Sequence, residues 1–222
     1  MIGIIFAMNE ELNKFLELLK LKKKKNIYDL VFYECSYKDK ELILVESGVG
    51  KVNAARGTQV LIDNYDIDYV INIGVAGAIS DKVNIMDVVV GNKLVQYDFD
   101  IEIFGHELGY VPKVGVYAES DPKLLSLATS KNVHVGVIAS GDKFVTDEKL
   151  AKEINNKYNA LCVEMEGASI AQVCYLSKIP FIIIRSISDS VLKNENKIDF
   201  DEFLEASCEK VSKYLLDIID KI

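Results

Sequence analysis

A chain of 222 residues, half of them hydrophobic, 27% charged and with only three prolines, can bury a large core and holds no stretch polar enough to stay unfolded. Its 34 acidic residues outnumber 26 basic ones for a formal charge of −8, which repels a phosphate backbone, so no nucleic acid partner is expected. No apolar run approaches the roughly 18 residues of a membrane span, and "MIGIIFAMNEEL" has no basic segment ahead of its apolar run, so we expect no signal peptide, no membrane association and a cytoplasmic protein.

A strand over 2–6 (IGIIF) leads into a helix over 9–20. The basic run "LKLKKKKN" at 19–26 reads as a solvated loop after that helix. Strands over 30–36 and 41–47 precede a helix over 51–64, and a strand over 68–74 ends in the glycine turn "GVAGAIS". A strand over 87–100 is followed by a helix over 121–130, where Asp121 before Pro122 fits a cap with proline at the first helical position. Then come a strand over 134–140, a helix over 148–158, a strand over 160–164, a helix over 166–178 and a strand over 181–187. The last helix, 200–220, carries apolar residues at 203, 204, 211, 214, 215, 218 and 219, a stripe of helical period.

Short β-branched runs alternating with amphipathic stretches predict an α/β fold with strands covered by helices on both faces. No repeat or flexible linker interrupts the pattern, so a single domain over 1–222 is expected. Cys35, Cys162, Cys174 and Cys208 have no CxxC spacing and read as reduced, packed thiols. With only His106 and His134 available, far apart, neither a metal nor a metal cofactor is expected.

In open α/β sheets ligands bind beyond the carboxyl ends of strands, and here acids and glycines recur at those positions. Glu10 and Glu11 follow the first strand, "SGVGK" the third, "GDKFV" the strand at 134–140, "EMEG" the strand at 160–164 and "RSISDS" the last. Each has a plain structural reading. Glu10, Glu11 and Glu166 could be first-turn helix acids favoured by the dipole, and Ser188 or Asp189 could be a cap. Gly48, Gly50, Gly74 and Gly77 could be ordinary turn glycines, since none completes a GxGxxG or phosphate-loop pattern. Arg185 inside an apolar strand is harder to dismiss, because a buried guanidinium needs an anion or a hydrogen-bonded network.

The motifs "IGIIFAMNEEL", "SGVGKVNAA", "NIGVAGAI", "FGHELGYVP", "SGDKFV", "VEMEGASIAQVC", "PFIIIRSISD" and "DFDEFL" together resemble the 5'-methylthioadenosine/S-adenosylhomocysteine nucleosidases of the nucleoside phosphorylase-like superfamily. The resemblance runs from Met1 into the final helix and implies a three-layer αβα sandwich around a central twisted mixed sheet. It further implies a cofactor-free hydrolase that cleaves the bond between adenine and a 5'-thio-substituted ribose, in methionine salvage and S-adenosylmethionine recycling. By the same resemblance Asp189 is the acid that protonates adenine N7, with Ser188 holding its geometry, and burial among acids keeps its proton. Glu11 matches the base that activates water, Glu166 the carboxylate that grips the ribose hydroxyls, and Arg185 a residue near the water that orders the acids. Phe144 would stack on adenine and the backbone of Val145 would bond its edge. Ala76, Gly77 and Met165 would line base and sugar, Glu164 would join them or brace Arg185 or the neighbouring loop, and Met8, Val49 and Phe200 would bound the ribose and thioalkyl group.

The same family places a loop corresponding to Phe104, His106 and Pro112 over the 5' pocket of a second subunit, which implies a homodimer. His106, where tyrosine is common, and Val75, where many relatives carry a hydroxyl, depart from the pattern. A nucleoside phosphorylase on the same scaffold is disfavoured because the turn at 72–77 carries Asn72 and Val75 in place of an arginine and a serine. A non-catalytic nucleoside-binding module is disfavoured by the intact set Glu11, Glu166, Arg185 and Asp189.

Overall fold

The computed structural model of the chain describes residues 1–192 and 196–222. Strand β1 (Ile2–Phe6) is buried along its whole length and turns directly into helix α1 (Asn9–Leu16). Helix α1 stops well short of residue 20 because the lysine run is not a loop. It is strand β2 (Lys20–Ile27), antiparallel to β3 (Leu30–Tyr37), from Lys20 opposite Ser36 to Ile27 opposite Leu30. Charge patterning hid this strand, since almost every side chain in β2 is exposed and no apolar period marks it. What makes it a strand is the unpaired edge of β3, and its lysines discourage any further strand from adding to it.

Strand β4 (Lys40–Glu46) and helix α2 (Lys51–Asn64) follow as expected. Strand β5 (Tyr69–Ala78) overruns its expected end by four residues, so "GVAGAI" is largely strand and not a turn. Strand β6 (Val88–Gln96) is shorter than the apolar run suggested, and a one-turn 3-10 segment (Glu102–Phe104) and a short strand β7 (Ala118–Glu119) precede helix α3 (Pro122–Ala128). Asp121 caps that helix as expected, accepting from the Leu124 N–H at 2.9 Å. Then come β8 (His134–Ser140), α4 (Glu148–Tyr158), β9 (Ala160–Glu164) and α5 (Gly167–Ser177). Strand β10 (Phe181–Ser190) also runs past its expected end, so Ser188 and Asp189 are strand residues rather than helix caps. Helix α6 (Asn196–Ile219) closes the chain, starting four residues before position 200.

Among the described residues the strands form one mixed sheet in the order β10-β6-β8-β9-β5-β1-β4-β3-β2, with β7 beside β6 and a further β10–β5 pairing. That last pairing closes β5, β10, β6, β8 and β9 into a ring of neighbours. On one face α2 and α5 bury Ala54, Leu61, Ala168, Ile170 and Cys174 against the sheet. On the other, α1, α3 and α6 bury Leu12, Phe15, Leu124, Val211, Leu215 and Ile218. Helix α4 packs Ala151, Ile154 and Tyr158 over β8 and β9. The fold is therefore the expected αβα sandwich, with the central strands β1, β5 and β10 buried almost throughout because both faces are covered. All four cysteines are buried and unpaired with one another.

Candidate active site

A cavity of about 350 Å³ opens where β1, β5, β9 and β10 end. Glu11, Glu164, Glu166 and Asp189 all line it, although they come from separate parts of the chain. All four are buried. A cluster of buried carboxylates is costly unless each is paired or hydrogen-bonded, so their partners define the site.

Glu11 sits at the third position of α1 and does accept from the helix start, as a first-turn acid would. One oxygen takes the Ala7 and Met8 N–H groups at 3.0 and 3.1 Å. The other takes the Val75 N–H of β5 at 3.1 Å, which ties helix and sheet together. A β-carbon at Gly74 would stand 2.5 Å from the Glu11 carboxylate, so this glycine is there for close approach and not for a turn. Burial pushes the Glu11 pKa up, against the opposing pull of Arg185 and of the three backbone donors.

Glu166 and Glu164 flank Met165 at the end of β9. Glu166 accepts from the Gly50 N–H at 2.7 Å, at the start of α2. Gly50 has φ of 98°, and here a glycine of the "SGVGK" turn does meet the turn-glycine expectation. Burial, with Glu164 alongside, pushes the Glu166 carboxyl up to about 7 despite that bond and the Arg185 charge. Glu164 is differently employed. It accepts from Ser140 Oγ, from the N–H groups of Glu166 and Gly167 at 3.1 and 2.7 Å, and from the Arg185 guanidinium.

Arg185 is only 1% exposed and does not itself line the cavity. It lies beneath it, donating to Glu164, to Asn72 Oδ1 at 2.5 Å and to the Ile184 carbonyl at 3.0 Å. Burial works against its charge, but Glu164, Glu166 and Glu11 outweigh that and hold the guanidinium firmly protonated. The sequence expectation set Arg185 near the water, ordering the acids; the structure puts its guanidinium under the cavity, bonded to Glu164.

Asp189 reaches the cavity through an irregularity in β10. Ile187 stands opposite Ala76, but Asp189 stands opposite Gly77, so Ser188 is an extra residue on the β10 side. Simple alternation would turn Asp189 to the same face as Ile187, which is buried in the core under α5; the bulge turns it over. Ser188 donates to Asp189 Oδ1 at 2.8 Å. Gly77 leaves the room, since a β-carbon there would lie 2.9 Å from Asp189 Oδ2.

The rest of the cavity wall is apolar. Met8, Val49, Ala76, Phe144, Val145, Met165 and Phe200 all line it, as expected from the sequence. Phe144 is 44% exposed and meets Phe200 edge-on at 5.6 Å, so two aromatic rings stand at the mouth. Val75 lines it too, and contributes its backbone N–H to Glu11. Phe104, His106 and Pro112 lie elsewhere, exposed and outside this chain's cavity; His106 stacks on Tyr110 at 4.2 Å. Residues that the sequence did not flag are Ser140, which holds Glu164, and Ala7, Lys143 and Val163 in the wall; Asn72, weighed from sequence only against a phosphate site, holds Arg185. A small polar residue in a buried strand carries no signal of its own until its partner's position is known.

Chemically, this is a largely apolar cavity with four buried acids in its wall. Among the described residues, the cationic side chain that lines it is the exposed Lys143, while the Arg185 guanidinium beneath is paired with Glu164. Such a site suits a neutral nucleoside and a reaction that develops positive charge, and it offers little to a phosphate.

Comparison with known proteins agrees. The model of the phosphorylase superfamily matches residues 1–220. The 5'-methylthioadenosine/S-adenosylhomocysteine nucleosidase of Exiguobacterium is 38% identical over 229 aligned positions, covering 100% of this chain and 98% of that one. The aminodeoxyfutalosine nucleosidase of Campylobacter jejuni is 37% identical, covering 100% and 99%. The crystal structure of the S-adenosylhomocysteine nucleosidase of Streptococcus pyogenes, in complex with 5-methylthiotubericidin, superimposes with a TM-score of 0.95 at 33% identity, covering 100% and 96%. The chain thus belongs to the phosphorylase superfamily and, within it, to the 5'-methylthioadenosine/S-adenosylhomocysteine nucleosidases.

Proposed function

We propose that this protein hydrolyses the N-glycosidic bond of 5'-methylthioadenosine, S-adenosylhomocysteine and 5'-deoxyadenosine, releasing adenine and the 5'-substituted ribose. It would serve methionine salvage and S-adenosylmethionine recycling as a single cytoplasmic domain over 1–222, paired as a homodimer. The observation that carries the reading is the convergence of Glu11, Glu166 and Asp189 on one largely apolar cavity.

Adenine is a poor leaving group as an anion, so Asp189 donates a proton to N7 as the bond breaks. Ser188 holds the carboxyl through Oδ1, fixing the plane from which that proton leaves. The ribose becomes oxocarbenium-like, and the ionised carboxylates around it stabilise the charge. Glu11, aimed by three backbone N–H groups, takes a proton from the attacking water. Glu166 accepts from the ribose hydroxyls while Gly50 steadies its other side. Phe144 stacks on the base, the Val145 backbone bonds its edge, and Ala76, Gly77 and Met165 bound base and sugar. Glu164 and Arg185 position Glu166 and Glu11 from below. Met8, Val49 and Phe200 surround the thioalkyl end, and the exposed loop with Phe104, His106 and Pro112 reaches the 5' pocket of the second copy.

The test is chromatographic detection of adenine from the three nucleosides and from 6-amino-6-deoxyfutalosine, with and without phosphate. Equal adenine release in both buffers is expected. Phosphate-dependent release would make the protein a phosphorylase, and binding without release a sensor.

A further inference from the structure

Beside the cavity, outside the groups assigned above, three loops meet at one polar knot. Lys51 begins α2 just after the "SGVG" turn, Asp98 follows β6, and Asp142 follows β8. The Lys51 ammonium donates to Asp98 Oδ1 at 2.6 Å. The other oxygen of Asp98 accepts from the Asp142 N–H at 2.9 Å. The Asp142 carboxylate in turn accepts from the Lys51 N–H at 2.8 Å, which closes the circuit. Lys51 is buried for such a residue, with its side chain only 15% exposed.

We infer that this Lys51–Asp98–Asp142 clasp positions the two halves of the nucleoside site against each other. On one side Lys51 is next to Gly50, whose N–H holds Glu166. On the other, Asp142 lies two residues before Phe144 and three before Val145, on the base side of the cavity. Gly50 fits the same purpose, since a β-carbon there would come within 3.2 Å of Asp142 Oδ1. Two carboxylates thus dock on the N-terminus of α2, Glu166 through Gly50 and Asp142 through Lys51, where the helix dipole favours both. A partly exposed ion pair adds little stability. Its worth is geometric: it fixes the distance between the groups that hold the base and the carboxylate that holds the sugar. The clasp rests on the proposed reading of the cavity as a nucleoside site.

The experiment compares Lys51→Met, Lys51→Arg and Asp98→Asn with the wild-type full chain. Lys51→Met should raise KM for 5'-methylthioadenosine and weaken adenine binding by calorimetry, each about tenfold, with kcat within about threefold. Its Tm should stay within about 2 °C, as befits a partly exposed pair. As the Gly50 N–H slackens on Glu166, the acid limb of kcat/KM should move to higher pH. Lys51→Arg should restore KM to within about threefold, since it keeps the charge that pairs with Asp98. Should Lys51→Met fail to fold, Asp98→Asn, which keeps the shape and cuts the ion pair, carries the same expectation. Wild-type KM and adenine affinity in a folded variant, or losses of kcat and Tm in step that arginine does not rescue, would overturn the clasp. Absence of adenine release by the wild type would overturn the site's proposed function instead, and the calorimetric comparison would still decide the clasp.

Discussion

Replacing Gly74 by alanine adds one methyl group at a β5 position that does not itself line the cavity, and the geometry says what it must do. The new β-carbon would lie 2.5 Å from Glu11 Oε1 and 3.2 Å from its Cδ, whereas ordinary contact begins near 3.4 Å. The carboxylate must therefore retreat by about 0.9 Å, the difference between the first and last of those distances. It has no slack to do so, because three N–H groups hold it at 3.0 to 3.1 Å. Overpacking of this kind costs about 1–3 kcal/mol of stability, and a 1 Å misplacement of a reacting group costs about 10²-fold in rate. We expect Gly74→Ala to fold with a lowered Tm and to lose about 10²-fold in kcat by adenine-release assay. In a Glu11→Gln background, already stripped of the proposed base, the same alanine should cost little more. A wild-type kcat in Gly74→Ala, or a full further loss on top of Glu11→Gln, would refute the argument that this glycine acts through Glu11.

Three further outcomes are expected. Asp189→Asn should retain 5'-methylthioadenosine binding by calorimetry and lose about 10²–10⁴-fold in turnover, because the amide keeps the shape and the Ser188 contact but cannot pass a proton to N7. Glu166, pushed up to about 7, holds a proton in the folded chain that the unfolded chain releases near 4.5, so its contribution to stability is full below 4.5 and is lost as pH rises toward 7. That shift is worth at most about 3 kcal/mol, and Glu11, raised in the same direction, adds to it; Tm should fall between pH 5 and 8, less steeply in Glu166→Gln, while kcat/KM rises as Glu166 ionises. On the exposed edge strand, replacing Lys22, Lys23 and Lys24 together by threonine should bring concentration-dependent association by light scattering, with adenine release per folded chain unchanged.

Sequence pattern reached most of the architecture because its strands and helices differ in apolar period. β1 and β9 are apolar runs buried throughout, β4 and β8 carry shorter apolar stretches, and α6 shows its stripe, since each must bury that surface whatever its neighbours are. Where a neighbour decides, the pattern failed. β2 is a strand only because β3 offers it an edge. β5 and β10 continue past their expected ends because each pairs with the other through Ala78 and Ser190.

For the site, the sequence alone established an inventory: acids and glycines after several strands, an arginine in an apolar strand, and motifs that match a known family in order. It could say which residue types the chemistry requires, because carboxylates, glycines and aromatics are recognisable by kind. Only the tertiary structure decided which of them face one another. The bulge at Ser188 turns Asp189 toward Gly77, Gly74 admits Glu11 to β5, and Arg185 lies under the cavity, bonded to the Glu164 that lines it. Those arrangements depend on register between strands distant in the chain, and register is set by pairing across the sheet, which no local stretch of residues encodes.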